Sequence, residues 1–260
     1  MDHPTRQYVE ALRTTHDRLA EFTSSLDAGE LARPSYCEDW DLAGVLSHLG
    51  SGAEIALEGL RAALGARTPM EQAEREALWE RWNAKSTTER AADAVVTDDA
   101  FVSACEELDE GRLAGLSVPF HGHEIPAAAF LGFRLAEQAL HSWDLYVVFE
   151  PSVRLRPEVV ELLVDMLGRI VGFAAKPEHY HGPGQVGVRT FEPERELLLT
   201  AGDGAHLGTG RLGDDDPLVT LPAEGLVRLV YGRMDGEHTP TGIVLRGVEL
   251  DDLRGLFPGF

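Results

Sequence analysis

The chain has 260 residues, 43% of them hydrophobic, which is enough for one or two domains with a sizeable core. Lys and Arg number 23 against 44 Asp and Glu, a formal charge of −21; such a surface repels phosphate backbones and anionic membranes, so neither nucleic acid nor a membrane is expected as a partner. Charge interrupts every apolar stretch before about 18 residues, which argues against a transmembrane helix, and the start MDHPTRQYVEALRTTHDRL lacks a basic-then-apolar leader, so a cytoplasmic protein is expected.

Val9, Leu12, Leu19 and Phe22 recur at helical spacing and predict a first helix from about residue 5 to 26. The connector ELARPSYCEDWD leads through a Pro to Asp39 and Asp41, both good N-cap types. A second helix follows in LAGVLSHLGSGAEIALEGLRAAL, with Leu42, Val45, Leu46, Leu49, Ile55 and Leu60 on its inner side. PMEQAEREALWERWNAKSTTER reads as a polar helical piece and DDAFVSACEELDEGRL as a further helix; the turn VPFHGHEIP then introduces a long helix from about Ala127 to Phe149. Four main helices joined by fairly short links predict a bundle.

After EPSVRLRP, one more amphipathic helix, EVVELLVDMLGRIVGFAA, ends before the breaker-rich KPEHYHGPGQ. ELLLTAG, PLVTLP and TGIVLRG are β-like runs set off by Gly and Asp turns and by one helix, AEGLVRLVYGRM, which predicts a smaller α+β domain. The expected division is a four-helix metal-binding bundle over 1–155, a connecting helix and linker over 156–184, and the small α+β domain over 185–260.

FRLAEQALHSWDL, residues 133–145, carries the chemistry. Glu137 and His141 stand at i and i+4 and share a helix face. An unpaired ionised carboxylate inside a bundle is costly and needs a cation or a proton; imidazole plus carboxylate at this spacing lets one helix present two metal ligands. His48, one turn beyond Val45 on the inner side of the second helix, is the best third ligand. Two His and one Glu make a three-ligand zinc set with a fourth position open, the catalytic kind. Plainer readings stand beside this one: His48 as a hydrogen-bonded core histidine, Glu137 and His141 as partners of each other, and Asp144 as a solvent-facing carboxylate.

DWDLAGVLSHL and FRLAEQALHSWDL resemble the mycothiol-dependent maleylpyruvate isomerase family, whose bundle belongs to the wider DinB-like group. Trp40, Asp41, His48 and Leu49 match its first block, with Gly44 where the family usually has Asp. Arg134, Glu137, His141, Asp144 and Leu145 match its second block in order and spacing. VTLPAEGLVRLVYGRM and GIVLRGVELDDLRGLFPGF resemble that family's sterol-carrier-like C-terminal domain. The resemblance implies that His48, Glu137 and His141 hold Zn2+ or another divalent metal, and that mycothiol is the thiol cosubstrate. It also implies that Arg233 belongs to the active site. The expected reaction is addition of the metal-activated thiol to an electrophilic small molecule, as in maleylpyruvate cis–trans isomerisation; mycothiol S-transfer shares its first step, and a non-catalytic metal- or ligand-binding bundle is the rival from another class.

Within that reading, Arg233 and Arg134 are the candidate cations for an anionic substrate, with Arg134 also able to pair with Glu137. Asp144 is expected to orient His141 as an outer acceptor, and Trp82 and Asn83 are candidates to line the thiol's pocket, with packing the plainer and preferred role for Trp82. Cys37 and Cys105 are too few for a disulfide framework or a cysteine-only zinc site, are expected to be reduced, and are poor substitutes for an external thiol. His121, His123 and Glu124, and likewise His179 and His181, look metal-like but fall in turns or connectors. His16 lies on the inner stripe of the first helix and could approach the site. GDGAHLGTG lacks the strand–loop–helix context of a phosphate loop. A monomer or weak homodimer is the expected state.

Overall fold

The computed structural model describes residues 4–120, 122–210, 213 and 215–259. The chain divides into two compact units, Met1–Val153 and Arg154–Phe260.

In the first unit, α1 (Pro4–Ser24), α2 (Ala28–Leu31), α3 (Leu42–Ala63), α4 (Gln72–Asn83), α5 (Thr87–Glu106) and α6 (Glu110–Ala114) precede a hairpin, β1 (Ser117–Phe120) and β2 (His123–Pro126), and then α7 (Ala127–Tyr146). The four long helices α1, α3, α5 and α7 form the expected bundle. Leu12, Leu19, Leu42, Leu46, Leu49, Phe101, Leu131 and Trp143 fill its core. Side-chain caps start the helices. The Asp41 carboxylate accepts from the Gly44 amide at 2.6 Å at the head of α3, and Ser86 and Glu89 form a reciprocal capping box on α5. Asp41, rather than Asp39, is therefore the cap of the helix that carries His48.

VPFHGHEIP, read as a turn, forms the two strands of the β1–β2 hairpin, with Phe120 opposite His123. Its turn holds Gly122 at φ +80°, the left-handed region that glycine adopts without a Cβ clash. His121 lies outside the described residues.

The second unit begins with α8 (Pro157–Val164) and α9 (Leu167–Ala174), followed by a 3-10 turn over Pro177–His179. Then come β3 (Gln185–Phe191), β4 (Arg195–Ala201), β5 (Ala205–Gly208), β6 (Leu218–Pro222), α10 (Ala223–Val230), β7 (Val244–Arg246) and α11 (Leu250–Leu256). The sheet order is β5-β4-β3-β6-β7, with β3 and β6 parallel and the other neighbours antiparallel. This is the expected smaller α+β architecture.

The single amphipathic helix expected over 158–175 is instead two, broken at Asp165 and Met166. Asp165 accepts from Arg195 Nε at 2.6 Å and Nη2 at 2.9 Å, and Gly168 comes so near β5 that a Cβ would lie 2.7 Å from the Leu207 carbonyl oxygen. Both contacts flank the break. These two helices, in the segment read as a connector, pack on α10 and on β5 within this unit. The middle strand β3 escapes a reading by apolar runs because Gly187 interrupts Val186 and Val188. Among the described residues no helix is long and apolar enough to cross a membrane.

Gly50 sets how closely α3 approaches its neighbours. A Cβ there would overlap the Trp82 ring and reach the Ala94 Cα at 3.0 Å. Gly50→Ala should destabilise the protein by about 1–3 kcal/mol, the range for overpacking a filled core, read as a lower midpoint in urea. An unchanged midpoint would show that the α3–α5 seam has slack.

Candidate metal centre

His48 projects from α3, and Glu137 and His141 from one stripe of α7. His48 Nε2 lies 3.0 Å from Glu137 Oε2, and His141 Nε2 lies 3.6 Å from the same oxygen. The two imidazole rings meet edge to face with centroids 4.5 Å apart. One donor atom from each residue falls within 4.8 Å of the others, the spread a single ion can gather. The Glu137 side chain keeps 49% of its surface open, against 14% for His141, so the cluster has a solvent side.

Neighbouring protein that displaces water pushes the Glu137 pKa up, but the His48 hydrogen bond and the attraction of His141, His48 and Arg134 outweigh this and hold it at about 2. The residue is a carboxylate at neutral pH, as a metal ligand must be.

His141 turns its other nitrogen to Asp144: Nδ1 and Oδ2 are 2.8 Å apart, and the Asp144 side chain is 0% exposed. With Asp144 ionised, Nδ1–H is the donor in this contact and Nε2 is the nitrogen turned to the cluster. Cys37 adds a contact not anticipated from its position before the α3 cap. Its Sγ donates to Asp144 Oδ2 at 3.1 Å and lies 3.9 Å from His141 Nδ1.

Cys37, His141 and Asp144 thus form a second possible ligand group among the described residues. The two groups use opposite nitrogens of one imidazole. In the group with Asp144 the carboxylate is fully buried and its imidazole nitrogen is already engaged in a hydrogen bond, whereas Glu137 is open to solvent, so the His48–Glu137–His141 face is the better seat for an ion.

The segment before α3 also brings in Trp40, whose ring centroid stands 5.0 Å from that of His48 and 5.9 Å from that of His141. It is fixed by its backbone: the Trp40 amide donates to Cys37 O at 2.9 Å, and its carbonyl accepts from the Ser35 amide at 3.0 Å. Trp40 walls the cluster, a role its exposed position in the sequence did not suggest.

The other expected residues are placed differently. Arg134 does not reach the open side or bond Glu137. It is buried, and its Nη2 donates to Asp98 Oδ1 at 2.8 Å and to Leu49 O at 3.1 Å. The reason is electrostatic: Asp98, buried on α5, needs a cation more than the half-open Glu137 does. Trp82 is 1% exposed and packs in the core, its Nε1 donating to Glu54 Oε2 at 2.8 Å, so it is unable to line an open pocket. Asn83 is exposed, and its Oδ1 accepts from Ser47 Oγ at 3.2 Å, next to His48 in sequence. His16 is buried on Asp98, its Nδ1 2.9 Å from Oδ2, and takes no part in the ligand cluster.

Arg233 belongs to the second unit, where it is buried and its Nη1 donates to Tyr231 O at 2.8 Å. His123, Glu124, His179 and His181 join neither ligand group. Asp98, and Gln138 whose Nε2 donates to it, were not singled out from the sequence. The spacing of Asp98 from Ala94, Phe101 and Val102 puts it on the inner stripe of α5, which is the signal that could have found it.

Residues 12–146, just over half the chain, match the family described as the mycothiol maleylpyruvate isomerase N-terminal domain. The chain belongs to this family. Two crystal structures, one of the mycothiol-dependent maleylpyruvate isomerase and one of a histidine-to-alanine mutant of it, superpose with TM-scores of 0.68 and 0.67. Each is 17% identical, over 96% of this chain and 95% of the other; at that identity the likeness speaks for the fold. No curated protein matches the chain. Both sequence blocks lie within the matched residues, and each supplies one wall of the cluster: Trp40 and His48 from the first, Glu137, His141 and Asp144 from the second.

Metal analysis of variants checks the ligand choice. His48→Ala, Glu137→Gln and His141→Ala should each abolish stoichiometric zinc in metal analysis, and Asp144→Asn should weaken zinc by roughly 10–100-fold. Cys37→Ser should leave one zinc bound; loss of the metal in that variant would shift the site to the Cys37 side. Cys105 should stay silent in native thiol titration at pH 8. Burial pushes its pKa up to about 12, so only about one molecule in 10,000 carries the thiolate there, and labelling before unfolding would contradict the packing of α5.

Proposed function

We propose that this chain is a zinc-dependent enzyme that activates mycothiol for addition to an electrophilic small molecule, as in maleylpyruvate cis–trans isomerisation. The convergence of His48 Nε2, Glu137 Oε2 and His141 Nε2 with a solvent side, braced by Asp144, is the observation that carries this reading. The donor set fits the ion. Two imidazole nitrogens and one carboxylate oxygen are a zinc combination found at catalytic sites, whereas a structural zinc is normally closed by a fourth protein ligand. That difference favours an enzyme over a passive metal-binding bundle. The names of the family and of the two similar structures support this thiol and this substrate class.

When bound, the ion supplies the positive charge that keeps a thiol ionised at neutral pH. The protein's own groups then have defined tasks. His48 and Glu137 span the seam between α3 and α7. His141 is kept in one tautomer by Asp144. Trp40 covers one flank of the imidazoles and limits access of water there. With a cis alkene conjugated to a carbonyl, the thiolate sulfur would bond to the alkene carbon as the π electrons move onto the carbonyl oxygen, the former double bond would turn as a single bond, and return of those electrons would re-form the double bond as trans while the C–S bond breaks and the thiolate is released. In this reading Asn83 is a polar contact for the thiol.

A second reading, mycothiol S-transfer, gains weight from Arg134. Its commitment to Asp98 removes one of the two cations proposed for a dicarboxylate, which suits a less charged electrophile whose thiol conjugate is the product.

The two readings differ in thiol balance. With the zinc-loaded protein, mycothiol and maleylpyruvate, isomerisation should turn over many substrate equivalents with free thiol constant. S-transfer should consume one thiol per product with a suitable electrophile. Neither activity, in protein shown to hold zinc, would leave the bundle as a binding protein.

A further inference from the structure

Beneath the ligand cluster, Asp98 on α5 accepts from three side chains of two other helices. His16 Nδ1 of α1 lies 2.9 Å from Oδ2, Arg134 Nη2 of α7 lies 2.8 Å from Oδ1, and Gln138 Nε2 of α7 donates to Oδ2. The Asp98 and Arg134 side chains are 1% and 5% exposed. The same Arg134 nitrogen donates at 3.1 Å to the carbonyl of Leu49 on α3, the residue immediately after His48. Gly52, one turn further along α3, leaves room for the guanidinium, since a Cβ there would sit 3.1 Å from Arg134 Nη1.

The spacing along α7 ties this network to the cluster above it. Arg134 stands three residues before Glu137, and Gln138 stands three before His141, so each network residue is about one turn below a ligand. One guanidinium therefore fastens the backbone beside His48 to the turn that carries Glu137, while Asp98 anchors that guanidinium to a third helix. A buried ion pair is a poor source of stability compared with apolar side chains of similar volume, but it is well suited to fixing one register among several. Both bonds leave one guanidinium nitrogen, Nη2, whose two hydrogens are fixed in the guanidinium plane, a set divergence that the freely rotating ammonium of Lys on its flexible stem does not impose.

We infer that Arg134 is a positioning residue for the metal centre, acting through Asp98 and the Leu49 carbonyl to hold α3 and α7 at the separation at which His48 and Glu137 share one ion. This inference rests on the metal reading above. It replaces the substrate-binding role expected for Arg134 from sequence.

The test compares the zinc dissociation constant, by calorimetry with a competing chelator, and the thermal midpoint of the zinc-free protein, for the full-length wild type, Arg134→Met, Arg134→Lys, Asp98→Asn and Leu12→Ala. Leu12 is a fully buried core residue of α1 and serves as a destabilised control. Arg134→Met and Asp98→Asn should weaken zinc by roughly 10–100-fold, the range for residues that orient metal ligands. Arg134→Lys should recover part of that loss, and Leu12→Ala should lower the thermal midpoint while binding zinc within about twofold of wild type. Should Arg134→Met fail to fold, Arg134→Lys and Asp98→Asn carry the comparison. Wild-type affinity in these variants, or an equal loss in Leu12→Ala at a matched midpoint, overturns the positioning role alone. A wild type that takes up no zinc overturns the metal reading and this inference with it.

Discussion

A carboxylate and two imidazoles facing one another across the seam of two packed helices are tolerated only if something positive, or a set of directed hydrogen bonds, compensates the carboxylate. Glu137 is in that position. Its closest partner, His48, comes from a helix 89 positions away in sequence, so the pair exists only because α3 and α7 pack at one separation and rotation. The cap at Asp41, the close approach at Gly50 and the clamp at Arg134 each act on that geometry. The site is thus a property of helix packing, rather than of a loop laid over a finished scaffold.

The polar groups around it form two connected tiers. In the upper tier His141 has one nitrogen for the cluster and one for Asp144, with the Cys37 thiol donating to that same carboxylate. In the lower tier Asp98 gathers His16, Arg134 and Gln138. A buried carboxylate anchors each tier, and each is paired as burial of a charge demands. Glu137, between them, keeps a solvent side, and in the proposed enzyme that is the side on which the thiol and its electrophile arrive.

Much of this was legible in the sequence, for physical reasons. Glu137 and His141 at i and i+4, and His48 in phase with Val45 and Ile55, announce a shared face because helical period converts spacing into direction. The change from helical to strand period near residue 185 marks a different architecture beyond it, even though Gly187 hides the middle strand. What spacing leaves open is the choice of partner. Arg134 had Glu137 within reach on its own helix and Asp98 on another, and burial decided for Asp98. Trp82 shares a polar helix with exposed neighbours, yet Gly50 on α3 offers its ring a berth in the core. Cys37 looks like a bystander until the chain before α3 folds it against Asp144.

The most direct test of the thiol site is spectroscopic. Cobalt(II) would be substituted into the zinc-free protein, and the near-ultraviolet region followed while mycothiol is added. The account predicts a sulfur-to-metal charge-transfer band that saturates at one thiol per cobalt and is present in Cys37→Ser. Cobalt that binds one-to-one but shows no such band at saturating mycothiol would contradict it.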